Sequence, residues 1–289
     1  MQVQRLYVRM FDVDWNEYRG PVPISIAEID GQWPDSVDFV PVVFITNKTM
    51  LRADSSQVAE LAEKIKQKVW RRKPEGISEL QLDCDWSAGT RQKYFQLVRH
   101  MREICKPARI SVTLRLHQYK HPNKTGVPPA DRAVLMYYNM SDVNSPETKN
   151  SILDNDEAEK YLKGTNKYPL KLDVALPLFS WGVVFRYNKF LVLLNDFNNA
   201  QAQNTDFLRQ RDETHFTFLK DTVWRNIFFR QGDIIRVEET DYKSVEKAAQ
   251  LTRSIGDTDT MHVIFYHLDE NLLQNYTYEK LENIYNIYR

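Results

Sequence analysis

Short apolar runs recur along this chain, each followed by a polar or helical stretch, and this alternation constrains the fold more than any other feature. The runs are Leu6–Asp12 (LYVRMFD), Val40–Thr46 (VPVVFIT), Glu79–Asp85 (ELQLDCD), Arg109–Leu116 (RISVTLRL), Ala133–Tyr138 (AVLMYY), Leu172–Leu178 (LDVALPL), Asp233–Glu238 (DIIRVE) and Met261–His267 (MHVIFYH). They are rich in β-branched and aromatic residues and most end on polar ones, which predicts eight strands. Helical spacing fills several gaps. Ser55–Lys73 places Val58, Leu61, Ile65 and Val69 on one face, with Ser55 as the expected N-cap. Thr90–Ile104 repeats the pattern with Tyr94, Leu97, Val98, Met101 and Ile104. Lys243–Ile255 carries Val245, Ala248, Ala249, Leu251 and Thr252, and Tyr278–Tyr288 closes with Leu281, Ile284, Tyr285 and Tyr288.

Strands alternating with helices imply parallel pairing through right-handed crossovers, and eight such units can close a barrel without exposed sheet edges. The expected fold is therefore α/β, a TIM-type (β/α)8 barrel forming one domain over all 289 residues; barrels of this kind reach about 250 residues as a single domain. An open doubly wound sheet normally carries a Gly-rich first βα turn, but this chain has nine glycines and no G-x-G-x-x-G. Three connections depart from the ideal. Trp15–Asp38 contains Pro21, Pro23 and Pro34, so its helix is short or missing, and Lys120–Asp131 contains Pro122, Pro128 and Pro129, so it reads as a loop. Trp181–Arg186 and Phe190–Asp196 flank a short Asn-containing turn and predict a β-hairpin after the sixth strand. The stretch from there to Phe229 is expected to be partly helical, with Trp224, Ile227 and Phe228 turned inward.

Lys plus Arg equals Asp plus Glu at 39 each, which argues against a general nucleic-acid or membrane-surface binder. No apolar run approaches the roughly 20 residues of a membrane span. The first strand follows Met1 so closely that a leader has no room, so the chain is expected to be cytosolic or, preferably, a secreted, periplasmic or lipoprotein form whose leader has been removed. Cys84 and Cys105 match neither a zinc motif nor a disulfide framework and are expected to be small buried residues. No cofactor motif is present.

In such barrels the working face is built from the C-terminal ends of the strands. That rule collects Asp12, Asp14 and Trp15; Asn47; Asp83, Asp85 and Trp86; Arg115 and His117; Tyr138 and Asn139; Phe179, Ser180 and Trp181; Glu238 and Glu239; and His267 and Asp269. Glycoside hydrolysis needs two carboxyl groups across a sugar, one of them an acid of raised pKa, and indole and phenol rings offer flat platforms for sugar faces. Strand-end Asp and Asn residues also cap turns and helices. The densest segment is GISELQLDCDW, Gly76–Trp86. Asp83 and Asp85 are two apart on a strand and share a face. So close a pair raises one pKa, pairs with Arg115, or binds a cation.

The run Leu80–Trp86, the helix with Tyr94 and Arg102, and the strand Ile110–Leu114 (ISVTL) resemble an uncharacterised bacterial family, a domain of unknown function grouped with glycoside-hydrolase-like barrels. Ala175–Arg186 (ALPLFSWGVVFR) and Gly232–Glu238 (GDIIRVE) resemble it too. Ser78–Trp86 is also similar to the D-x-x-D-x-D-x-E strand motif of chitinase-type glycoside hydrolases. Asp83 falls on its third aspartate and Asp85 on its catalytic glutamate, while Ser78 and Gln81 stand where the first two aspartates would be. That family carries the motif on its fourth strand, whereas here it is on the third predicted strand. The resemblance implies a carbohydrate partner.

Two functions follow. In the first, a glycoside hydrolase, Asp85 is the general acid and Asp83 or Glu238 the second carboxylate. Asp12, Trp15, Trp86, Arg115, His117, Tyr138, Asn139, Trp181 and His267 then contact substrate. In the second, a glycan-binding or surface accessory barrel, the same face binds without turnover. A third reading, a metal-dependent hydrolase using Asp12, Asp14, His117, His267 or Asp269, lacks H-x-H or H-E-x-x-H spacing.

Overall fold

The first strand, β1 (Arg5–Asn16), runs four residues beyond the apolar run that predicts it. The Asn16 side chain then accepts hydrogen bonds from the backbone of Tyr18 and Arg19, and the chain turns back as β2 (Gly20–Ile24), antiparallel to β1. Pro21 and Pro23 fit there because β2 is an edge strand, where a missing N–H costs no ladder bond. In the described part of this connection, where a short or missing helix is expected, the chain forms a strand. The computed structural model describes residues 3–28, 36–72, 76–164, 167–257, 260–267 and 276–289.

The strands β3 (Asp38–Ile45), β4 (Glu79–Asp83), β5 (Arg109–Leu114), β6 (Arg132–Met136), β7 (Lys171–Pro177) and β15 (Val263–Tyr266) match six further predicted runs. With β1 and β2 they form an eight-stranded sheet in the order β15-β7-β6-β5-β4-β3-β1-β2. The chain divides into two compact units, Met1–Leu135 with Gly164–Asp173 and Ile255–His262, and Met136–Lys163 with Val174–Ser254 and Val263–Arg289.

In the first unit β1, β3, β4, β5 and β6 pair in parallel. The register sets Val42, Gln81, Ser111 and Arg132 side by side on one face. The alternate residues Leu80, Leu82 and Cys84 are buried on the other. Helix α1 (Asn47–Arg52) is capped by Thr46. Helix α2 (Ser55–Arg72) buries the predicted Val58, Leu61, Ile65 and Val69, but its cap is Asp54, whose carboxylate accepts from the backbone N–H groups of Ser56 and Gln57. Helix α3 (Arg91–Ile104) buries Tyr94, Leu97, Val98 and Met101, and Tyr94 Oη donates to the Leu82 carbonyl of β4 at 3.1 Å. The connection expected to be a loop begins with two short helices, α4 (Leu116–Lys120) and α5 (Pro122–Thr125), with Pro122 in the first turn, where a helix tolerates it. Both cysteines are buried free thiols, and burial pushes the Cys105 thiol up to about 11.

A layer of charge crosses the N-terminal ends of these strands. Arg5 bridges Asp38 at 2.7 Å and Glu79 at 3.1 Å. Arg132 forms a two-pronged, buried pair with Asp173, which also accepts from the His262 backbone N–H at 2.6 Å.

The second unit pairs the end of β7 in parallel with β15 and carries helices α6 (Asn155–Leu162), α7 (Asn199–Gln203), α8 (Tyr242–Thr252) and Tyr278–Asn286. It also holds a five-stranded sheet of order β10 (Leu208–Gln210), β11 (His215–Phe218), β14 (Ile234–Glu239), β8 (Ser180–Arg186) and β9 (Lys189–Asn195). The predicted hairpin is β8 (Ser180–Arg186) and β9 (Lys189–Asn195), joined through Tyr187 and Asn188, both with positive φ as a two-residue turn requires. Three expectations change here. The predicted seventh barrel strand is β14 (Ile234–Glu239), which pairs antiparallel with β8 and β11 outside the eight-stranded sheet. The stretch expected to be partly helical holds only α7 and then β10 (Leu208–Gln210), β11 (His215–Phe218), β12 (Thr222–Trp224) and β13 (Ile227–Phe229). Trp224 and Ile227 do pack on the core of Val184, Phe197, Phe216, Phe218, Phe229 and Ile235, whereas Phe228 is exposed.

Candidate functional site

Strand β4 places Glu79, Gln81 and Asp83 on one face, with Asp85 just beyond the strand end. Asp83 Oδ1 accepts a hydrogen bond from Thr113 Oγ1 at 2.6 Å. Burial pushes the Asp83 carboxyl above the ordinary carboxylate range and the charge of Asp85 adds to the rise, while Thr113, Arg115 and Arg9 oppose it. Asp85 is clasped by Arg115, with Nε on Oδ1 at 2.6 Å and Nη2 on Oδ2 at 2.8 Å. The pair is part-exposed, 26% for the arginine side chain and 44% for the aspartate.

Arg115 is held in turn by Gln118, which is buried. Gln118 Oε1 accepts from the Arg115 backbone N–H at 2.8 Å, and its Nε2 donates to the Trp86 carbonyl at 3.2 Å. One amide therefore ties the loop after β4 to the loop after β5. His117 lies beside this pair; desolvation first, then Arg115, lowers its pKa.

Asp12 is clasped in the same way by Arg9 at 2.6 and 2.7 Å, and the guanidinium lies 4.8 Å above the Phe44 ring. Asp14 accepts from Thr46 Oγ1 at 2.8 Å, the main cause of its lowered pKa. Asn47 accepts from Thr90 Oγ1 at 2.6 Å. Trp15 donates to Glu17 at 3.2 Å. Trp86 lies elsewhere than a sugar platform requires. It is 3% exposed, stacks on Tyr94 at 5.2 Å, and donates to the Thr125 carbonyl. It is a core residue beneath the strand end.

The remaining predicted residues lie in the second unit. Tyr138 stacks on Tyr266 with centroids 4.9 Å apart, and Phe179 meets Trp181 edge-on at 5.2 Å and stacks on His267 at 6.0 Å. His267 Nε2 lies 3.7 Å from Asp196 Oδ1. Asn139 has a φ of 55°, and its N–H donates to the Ile152 carbonyl. Glu238 is fully buried and heavily engaged. Its Oε2 accepts from Ser151 N and Ser151 Oγ, both at 2.6 Å, and from Trp181 Nε1 at 3.0 Å, while Oε1 accepts from Arg236 Nε at 2.7 Å. Three donors on Oε2 and one on Oε1 hold this buried carboxylate in place, and it in turn fixes the Trp181 indole. Glu239 accepts from Asn199 instead. Asp269 lies outside the described residues.

Sequence reasoning missed Arg9, Thr113, Gln118, Ser151, Arg236 and Tyr266, which hold or flank the predicted groups. Tyr266 adjoins a predicted strand end and could have been included; the others carry no local signal. Among the described residues no group of three or more His, Cys, Asp or Glu side chains is placed to hold a metal ion, and no helix is long and apolar enough to cross a membrane.

The described residues form an α/β protein with a largely parallel sheet and carboxylates at its strand ends. No protein-family model matches the sequence, and no curated protein sequence matches it. Solved structures do. The spore cortex-lytic enzyme SleL of Bacillus cereus superposes with a TM-score of 0.50 at 15% identity, over 95% of this chain and 68% of that one. A chitinase from Chromobacterium violaceum gives 0.52 at 14% identity, over 94% and 90%. Catalytic domain 2 of the Group II chitinase of Ostrinia furnacalis gives 0.50 at 11%, over 92% and 82%. At these identities the likeness establishes a shared fold, in line with the resemblance read from Ser78–Trp86.

Proposed function

We propose that this chain is a glycoside-hydrolase-like protein that takes a carbohydrate at the C-terminal ends of its parallel strands, working as one (β/α)8-type domain on the extracellular or envelope side of a cell. The observation that carries the reading is the Asp83–Asp85 pair at the end of β4, on a fold shared with chitinases and a cortex-lytic enzyme. Asp83, held up by burial, stays protonated more readily than an ordinary carboxyl and lies beside Asp85, the proton donor to a leaving sugar oxygen in this reading. Asp12, Trp15, Arg115 and His117 contact sugar in the first unit. Tyr138, Asn139, Trp181 and His267 do so in the second, where Glu238 positions Trp181 rather than reacting.

A second reading, glycan binding without turnover, is favoured by one specific contact. Arg115 takes both oxygens of Asp85, the group that would have to hand over a proton. Amino-sugar oligosaccharides of the chitin and cortex types separate the two readings. Hydrolysis seen by mass spectrometry and abolished in Asp85→Asn supports the enzyme. Quenching of tryptophan fluorescence by the same sugars, with no product and no change in Asp85→Asn, supports the binder. The absence of both product and binding on a broad glycan array overturns the carbohydrate reading.

A further inference from the structure

Below Asp83 on the same face of β4 and β5 lie three buried polar atoms without a hydrogen-bonding partner: Glu79 Oε1, Gln81 Nε2 and Ser111 Oγ. Their residues are at most 5% exposed. Gln81 and Ser111 are directly opposite in the β4–β5 register, and Glu79 is two residues back along β4, on the same face. The other oxygen of Glu79 is taken by Arg5 at 3.1 Å, so this carboxylate is anchored and cannot swing away to find a partner. Asp83 and Thr113 are the next pair toward the strand ends.

A buried polar group left unpaired costs its full desolvation penalty, and three together would consume a sizeable share of the net stability of any fold. Native interiors settle such groups with ordered water, each molecule typically making about three hydrogen bonds. The donor inventory also selects among small occupants. A carboxylate oxygen accepts, a serine hydroxyl does both, and an amide NH2 only donates. That mixture suits water.

We infer that the face shared by β4 and β5 binds one or two ordered water molecules through Glu79, Gln81 and Ser111, and that this hydrated layer forms the polar floor beneath Asp83. Gln81 and Ser111 are then positioning residues for the Asp83 carboxyl. Gln81 stands at one of the two motif positions where chitinase-type strands carry aspartate, so a neutral side chain with bound water here replaces a charged one. The assignment of a role to Asp83 rests on the proposed function; the water site does not.

The experiment is oxygen-17 relaxation dispersion on the wild-type chain, Ser111→Ala and Gln81→Leu, with thermal denaturation and a carbon-13 NMR titration of Asp83 on the same samples. Long-lived internal water in the wild type, at least one molecule fewer in each variant, and a Tm about 2–4 °C lower are expected. The Asp83 titration midpoint should move in both variants, which a merely structural role would not produce. A Tm equal to or above wild type with an unchanged water count overturns the site, because removing a truly unpaired group is neutral or stabilising. If the variants fail to fold, the wild type decides: no long-lived water, and no ordered density between Gln81 and Ser111 in a high-resolution crystal structure, overturns it equally. A moved water count with an unmoved Asp83 titration keeps the water site and removes the positioning role. Failure of glycan binding leaves the water count untouched.

Discussion

The Asp85–Arg115 clasp is the contact on which the two functional readings diverge, and its strength can be measured without any substrate. Two unit charges about 4 Å apart attract by about 1 kcal/mol in water and about 4 kcal/mol at the effective dielectric of a protein surface. Exposures of 26% and 44% place this pair near the weaker limit. Exposed pairs are worth roughly 0.2–1 kcal/mol, and the two-pronged geometry at 2.6 and 2.8 Å puts this one at the upper end. A double-mutant cycle of wild type, Asp85→Asn, Arg115→Gln and the double variant, read by urea unfolding, should give a coupling of about 1 kcal/mol. In 1 M NaCl, where the Debye length falls to about 3 Å, it should drop by about half or more. A coupling of this size is small enough for an incoming sugar to open the clasp, which keeps Asp85 available as a donor. A coupling above about 3 kcal/mol, unmoved by salt, would refute the reasoning and mark Asp85 as a permanently locked structural residue. A coupling indistinguishable from zero would refute it from the other side.

Asp83 makes a pH-dependent prediction. Its folded pKa lies above the unfolded value of about 3.9. The stability contributed by its protonated form is therefore complete below that value and is lost as pH rises through the folded pKa. Asp83→Asn, which cannot ionise, should gain on the wild type from pH 4 to pH 8 in urea unfolding, and equal pH profiles would contradict the assignment. Asp173→Asn leaves the buried Arg132 guanidinium without its counter-charge and should cost about 3–5 kcal/mol by the same assay. Gly182→Ala puts a Cβ 2.5 Å from Ile235 Cδ1 and 2.8 Å from Phe197 Cδ1, and should cost about 1–3 kcal/mol in unfolding experiments through overpacking.

The eight apolar runs are all strands, and the helices at 55–72, 91–104, 242–252 and 278–286 lie where periodicity predicts them. Burial of one face against a core imposes periods of 2 and 3.6 on the residues themselves, so those elements are local properties. Asp83 was legible as a strand-end carboxylate for the same reason, whereas Asp85, expected on the same strand face, lies just beyond the end of β4. Pairing Asp85 with Arg115 could be weighed as one option because both sit at predicted strand ends, but nothing local chooses it over a shifted pKa or a bound cation.

Sheet membership was not legible. Ile-Ile-Arg-Val-Glu reads as a strand whichever neighbour it finds, and only tertiary pairing puts β14 beside β8 and β11. That choice turns Glu238 from a supposed strand-end acid into a buried acceptor for Ser151, Trp181 and Arg236, two of them distant in sequence. Trp86 shows the same limit. An indole after a strand suits a sugar platform or a core equally well, and its place against Tyr94 depends on where α3 packs. The sequence by itself determined the elements and the β4 carboxylate pair, because these follow from periods of two to four residues. The tertiary structure decided how deeply each carboxylate is buried and brought Thr113 to Asp83, Arg115 to Asp85, and Ser151 and Trp181 to Glu238, because these donors come from tens of residues away.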